Sequence, residues 1–203
     1  MKKAIIPVPA IDNTIVQPDR WQQFRQGNRD AFAYIYHTYI DDLYSYGIHF
    51  CGDGERVKDS LQELFQHLWH SRLQLAENVA HIRYYLLCSF RRCLLRSLEK
   101  DRRHKTVDTI PFDFECIPPR EHLIIEDETR KEQLQQLHHA LAALTRRQRE
   151  AIYLRFFQDL SYQEVADMMD MKVDSVYNII SKAIGALKEV LGPAVLVLLL
   201  RPV

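Results

Sequence analysis

Apolar side chains recur at steps of three and four residues over most of the chain, and nowhere do they alternate with the period of two that marks a strand. In the first such stretch Phe32, Ile35, Tyr36, Tyr39 and Leu43 share one helical face. The run Cys51-Gly-Asp-Gly54 breaks the pattern. A second helix follows, with Leu61, Leu64, Phe65, Leu68 and Trp69 on one stripe and Asp59, Gln62, Gln66 and His70 on the other side. A third starts near His81 and turns Ile82, Tyr85, Leu86, Cys93 and Leu94 inward. On its outer side Arg92, Arg96, Lys100 and Arg103 step by four, four and three, which lays down a basic stripe. Residues 106–128 lose the period, and the run Thr109–Arg120 holds three prolines, so this segment reads as a linker. Helical spacing resumes near Glu126, with Leu134, Leu137, Leu141 and Leu144 in register.

The sharpest local signals lie in the last third. Thr145 with Gln148, and Ser161 with Glu164, have the spacing of a capping box. Leu160 and Val165 add the hydrophobic staple that fixes the chain's entry into a helix. The spacing predicts a short helix over Tyr162–Met169, a turn at Asp170-Met-Lys172 and a longer helix from Val173. In that longer helix Val176, Ile180, Ala183 and Leu187 fall on one face. Asp174, Tyr177, Asn178, Ser181 and Lys182 fall on the other. Ala166 is small where the two helices must approach. This is the layout of a helix-turn-helix, whose second helix fits the major groove. The competing reading is an amphipathic hairpin with a solvated polar face. The expected fold class is all-α: two small helical domains joined by a flexible linker, the C-terminal one a helix-turn-helix. The boundaries drawn are an extension over 1–19, a first domain over 20–105, the linker over 106–128, a second domain over 129–192 and an apolar tail over 193–203.

Composition narrows the picture. The chain has 203 residues, with 27 basic and 27 acidic side chains and no net charge. That balance hides a segregation: Phe90–Lys105 carries seven basic and two acidic residues, and Thr106–Glu132 eight acidic and three basic. A basic face beside an acidic segment suggests a polyanion site and a competitor for it, and the linker is expected to fold over the basic helix and partly mask it. The four cysteines, at 51, 88, 93 and 116, lack metal-ligand spacing, which points to the reducing cytoplasm. His67 and His70 lack a third ligand, so no metal is expected, and no cofactor either. No carboxylate cluster, nucleophile triad or phosphate loop argues for an enzyme. Met1-Lys2-Lys3 precedes Pro7, Pro9 and Asp12, which interrupt any signal-peptide core. The apolar run Ala194–Leu200 is seven residues long against the ~20 of a membrane span. It is expected to pack on the domain, on a partner or in an oligomer.

Three segments carry a resemblance: Thr145–Phe157, Leu160–Ala166 and Val173–Ala183. Together they look like the C-terminal promoter-binding domain of RNA polymerase sigma factors, and more narrowly of the extracytoplasmic-function group. Val57–Trp69 resembles the helix by which that family's N-terminal domain grips the polymerase clamp. The resemblance covers roughly residues 20–190, in family order. It implies a non-enzymatic protein that binds core polymerase through Asp59, Gln62, Glu63 and Gln66, recognises two promoter elements and helps part the strands. For the upstream element, near minus thirty-five, the implied contacts are Lys172, Ser175, Tyr177, Asn178, Ser181 and Lys182. For the downstream element, near minus ten, they are Asn78, His81, Arg83, Tyr84, Arg91, Arg92, Arg96 and Lys100. The loop Gln74–Ala80 resembles the segment that holds a base turned out of the stack. An anti-sigma factor is a further implied partner, and no small-molecule substrate is implied. The sequence departs from the family at Arg92 and Arg96, where an asparagine and an aspartate are usual, and at Asp170, the usual turn glycine. The alternatives are a helix-turn-helix regulator that is not a polymerase subunit, and a protein-binding adaptor.

Overall fold

The computed structural model describes residues 17–104, 114, 136 and 139–199, with side chains over 19–100, 114, 136 and 139–191. The expectations for the N-terminal extension, for the linker apart from Phe114, and for the side chains of the apolar tail lie outside the described residues. The regular elements among those described are all helices, and no strand occurs among them.

Four helices build the N-terminal half: α1 (Gln17–Arg25), α2 (Arg29–Cys51), α3 (Gly54–Ser71) and α4 (Ile82–His104). The starts of α2 and α3 have local causes. The Asn28 side chain accepts from the amides of Asp30 and Ala31 at the head of α2. Asp53 does the same for Glu55 and Arg56 at the head of α3, satisfying donors that the helix cannot pair internally. Helix α2 ends at Gly52, whose φ of 66° is left-handed. The stripes expected from spacing face the core: Ile35, Tyr39 and Leu43 from α2, Leu61, Leu64 and Phe65 from α3, and Ile82, Leu86 and Leu94 from α4 are buried, and Phe90 joins them. One close approach is sequence-encoded by Gly47. A Cβ there would sit 2.7 Å from Val57 Cγ1 and 3.1 Å from Phe90 Cε1, so only glycine lets α2, α3 and α4 meet this tightly.

The C-terminal half comprises helical residues 139–142, then α5 (Arg146–Ile152), which runs into a π-helical turn over Tyr153–Phe157, then α6 (Tyr162–Met169) and α7 (Val173–Leu199). Both capping boxes form, at Thr145 with Gln148 and at Ser161 with Glu164. Leu160 and Val165 are buried, as a staple requires. Arg149 is buried and donates to the carbonyls of Leu144 (2.7 Å) and Ala142 (3.0 Å), capping the helix before it. Helix α7 does not stop ahead of the tail: it continues through Gly192 and Pro193 to Leu199.

The two halves pack against one another. The buried apolar side chains of both form one cluster. Phe114, the described linker residue, is fully buried. Its ring lies 6.3 Å from Tyr46, 6.2 Å from His49 and 5.6 Å from Tyr153. Its carbonyl accepts from Arg149 Nε at 2.5 Å.

Candidate nucleic-acid interface

Helices α6 and α7 form the expected helix-turn-helix. Asp170 occupies the turn at φ 56°, ψ 56°, a left-handed conformation that Asp tolerates better than most residues. The Met171 amide donates to the Ala166 carbonyl at 2.9 Å and closes the turn. Val176, Ile180, Ala183 and Leu187 are buried. Their burial turns Lys172, Tyr177, Asn178, Ser181 and Lys182 outward, with Ser175 half-buried at the edge. Asp174 falls in the first turn of α7, where the helix dipole favours a carboxylate.

Tyr177 is half exposed. Its ring stacks on Tyr162 of α6 at 4.0 Å and 14°. The Arg155 guanidinium lies 5.3 Å from the Tyr162 centroid, so a cation and two rings form one pile across the helix-turn-helix. A ring stack with a cation over one of its members restricts the direction of the Tyr177 ring. Tyr162 and Arg155 lie 15 and 22 residues before Tyr177, and no sequence period joins them.

The second constellation lies on α4 and the loop ahead of it. Trp21 Nε1 donates to the Ala76 carbonyl at 2.9 Å, which ties the Gln74–Ala80 loop to α1. Arg72 lies over the Trp69 ring at 4.7 Å, fixing the loop's start. Asn78 and His81 are exposed on this anchored loop. Arg92, Arg96 and Lys100 are exposed along α4, and the stripe faces outward as spacing predicts.

The other candidates on α4 are placed differently. Arg91 turns into the contact between halves and donates from Nε to Glu150 at 2.8 Å; their side chains are 14% and 2% exposed. Arg83 donates to Asp42 at 2.8 Å and, at 2.7 Å each, to the carbonyl and the Oε1 of Gln158. Tyr84 is half-buried, and burial, helped by a hydrogen bond to Cys88, pushes its phenol well above the ordinary range. The stripe and these three therefore do not form one continuous exposed face.

Asp59, Gln62, Glu63 and Gln66 are all exposed on α3. Gln62 and Gln66 line a groove of about 660 Å³ whose floor is Phe32, Tyr36, Ile40, Leu61, Phe65 and Trp69. Sequence spacing assigns this apolar stripe wholly to the core. Tyr36 is nevertheless 38% exposed, so part of the stripe is surface. Among the described residues no group of three His, Cys, Asp or Glu could hold a metal ion. None of the helices described is long and apolar enough to cross a membrane.

The described residues form a helical protein with a helix-turn-helix in its C-terminal half. Residues 134–187 match the family model described as Sigma-70, region 4, which covers the helix-turn-helix and its supporting helices. The chain is 28% identical over 141 residues to the ECF RNA polymerase sigma factor SigX of Bacillus subtilis, covering 68% of this chain and 71% of that protein. It is 24% identical over 180 residues to the ECF RNA polymerase sigma factor SigK of Mycolicibacterium vanbaalenii, covering 85% and 88%. Its fold is similar to the sigma factor RpoE of Bartonella quintana, solved in complex with the anti-sigma factor NepR, at a TM-score of 0.59 and 20% identity, over 80% of this chain and 97% of that one. Residues 134–187 carry a sigma-70 region 4, and over most of its length the chain is similar to sigma factors of the extracytoplasmic-function type, proteins of transcription initiation. Sigma factors are not known as enzymes.

Proposed function

We propose that the protein binds core RNA polymerase in the cytoplasm and directs it to promoters by reading two DNA elements, without a catalytic centre or cofactor of its own. The observation that carries this reading is the pairing of a region 4 helix-turn-helix with an upstream domain of the extracytoplasmic-function kind, in family order.

The first domain, over 20–105, engages polymerase and the downstream element. Asp59, Gln62, Glu63 and Gln66 meet the polymerase clamp. The groove beside Gln62 and Gln66 continues that face and accepts the clamp's apolar side chains. Asn78 and His81 address an unstacked base, and Arg92, Arg96 and Lys100 hold phosphates. The second domain, over 129–192, places α7 in the major groove, where Asn178 and Lys182 reach base edges and Lys172, Ser175, Tyr177 and Ser181 complete the face. The structurally similar RpoE is solved with an anti-sigma factor, which supports such an inhibitor as a partner here.

Co-migration with purified core polymerase tests the reading. The wild-type chain is expected to comigrate, and Gln62→Ala with Glu63→Ala to weaken the association. A chain that binds promoter duplex but never core polymerase belongs instead to the regulator class.

A further inference from the structure

We propose that Tyr177 reads the methyl group of a thymine in the upstream element, and that Tyr162 of α6 is the positioning residue that sets its ring for the task. The inference deepens the proposed reading of α7 as the helix that enters the major groove, and rests on it.

Tyr177 is the one aromatic residue of α7. It lies four residues in from Val173, in the part of a recognition helix that meets base edges. It is 51% exposed, although Tyr162 covers one face of the ring at 4.0 Å and 14°. Tyr162 is itself fixed twice. It is the first residue of α6, directly after the N-cap of the Ser161–Glu164 capping box, so its backbone is pinned. Its ring lies 5.3 Å from the Arg155 guanidinium, which donates from Nη1 to the Leu160 carbonyl at 3.2 Å. Arg155 Nε is buried and makes no hydrogen bond among the described residues. The rings of Tyr162 and Phe156, at 5.3 and 5.7 Å, help to hold that guanidinium in place.

The neighbours of Tyr177 on this face, Lys172, Asp174, Asn178, Ser181 and Lys182, are exposed and polar. They can hydrogen-bond base edges and phosphates, and none of them presents a flat apolar surface. Among the four bases only thymine carries a methyl group in the major groove, and apolar contact is what recognises it. The Tyr177 ring supplies that surface. A loose ring would lose rotamer freedom on touching DNA, whereas a ring restricted by its stack has lost that freedom beforehand. The stack arranges the plane of the ring rather than the hydroxyl. A phosphate contact through the phenol needs only the tip of the side chain, while a methyl contact needs the ring's orientation.

The test uses the full-length chain with core polymerase and duplex promoter fragments. Selection from a library randomised around minus thirty-five gives the fragment bound best. Each thymine of its upstream element, on either strand, is then replaced singly by deoxyuridine, which removes the methyl group alone. For the wild-type chain one such replacement is expected to weaken binding about fourfold, the amount expected for one buried methyl-sized group. Tyr177→Ala should bind the thymine and deoxyuridine fragments equally, and Tyr177→Phe should keep the difference. Tyr162→Phe should keep it too, since stacking needs no hydroxyl, and Tyr162→Ala should bring the two affinities toward parity. Their ratio is insensitive to a general loss of DNA binding. Circular dichroism confirms helix content, and Tyr162→Leu takes the place of the alanine variant if α6 unfolds. A deoxyuridine effect that survives in Tyr177→Ala, or disappears in Tyr177→Phe, overturns the methyl contact. A wild-type ratio in Tyr162→Ala overturns the positioning role. Preference for an upstream sequence with no dependence on any methyl group overturns the inference and leaves the promoter reading standing, while no upstream preference at all overturns both.

Discussion

Replacing Arg92, Arg96 and Lys100 together by alanine tests the α4 surface as a phosphate grip. All three side chains are exposed, and the first and last lie eight steps apart on one helix. At ~1.5 Å per residue that is about 12 Å. A duplex presents one charge per ~1.7 Å, so about seven phosphates lie within that length and three contacts are sterically reasonable. Each contact adds ~0.9 to the slope of log affinity against log salt on duplex and ~0.7 on single strand. Three contacts therefore add about 2.7 or 2.1. Between 50 and 200 mM salt the wild-type affinity should fall about 40-fold more than the triple variant's on duplex, or about 20-fold more if these residues hold a melted strand. The assay is fluorescence anisotropy of a promoter fragment across a potassium chloride series, with core polymerase present. Arg29→Ala is the control, since exposed Arg29 lies at the head of α2, away from α4 in sequence. A triple variant with the wild-type slope removes this surface from the DNA interface.

Other expectations follow from single features. Gly47→Ala puts a methyl group 2.7 Å from Val57 Cγ1. Overpacking costs ~1–3 kcal/mol and outweighs the ~1 kcal/mol gained in helix propensity, so the urea midpoint should fall; a raised midpoint contradicts the close-packing argument. Ser161→Ala removes the cap of α6 and should cost about 1 kcal/mol, read as a lower melting temperature and weaker binding to the upstream element. Tyr36→Ala, in the groove on α3, should weaken core polymerase binding about tenfold or more without altering duplex binding by the free chain, and an equal loss in both assays points to misfolding.

What could be read in the sequence was local. Ser161 and Glu164 are three residues apart, and their mutual bonds need nothing from the rest of the chain, so the start of α6 followed from spacing. The same holds for Asp170, whose left-handed turn is set by the helices it joins. Periodicity also found the buried stripes, because burial on one helical face leaves a repeat of three and four. It failed where the partner is distant. Glu150 lies 59 residues from Arg91, and Gln158 lies 75 from Arg83. The family resemblance counted both arginines with the DNA-binding cations, whereas the stripe read from spacing held neither, and on α4 Arg91 is one residue, or roughly 100°, away from exposed Arg92. The groove was missed for a related reason. An apolar stripe looks the same in sequence whether it is covered by its own core or left for another protein, and only the solvent exposure of Tyr36 separates the two. Phe114 shows the limit of compositional reading, since a proline-containing acidic linker gives no sign that one of its residues plugs a seam.

Mapping the 5′ ends of transcripts made by core polymerase with and without this chain, on a library of bacterial promoter fragments, tests the central claim most directly. The account predicts a discrete set of start sites that appear only with the chain, share two sequence elements at fixed spacing upstream, and weaken when Gln62 and Glu63 are both alanine. A transcript pattern identical with and without the chain, under conditions where it is folded and no inhibitor is present, contradicts it.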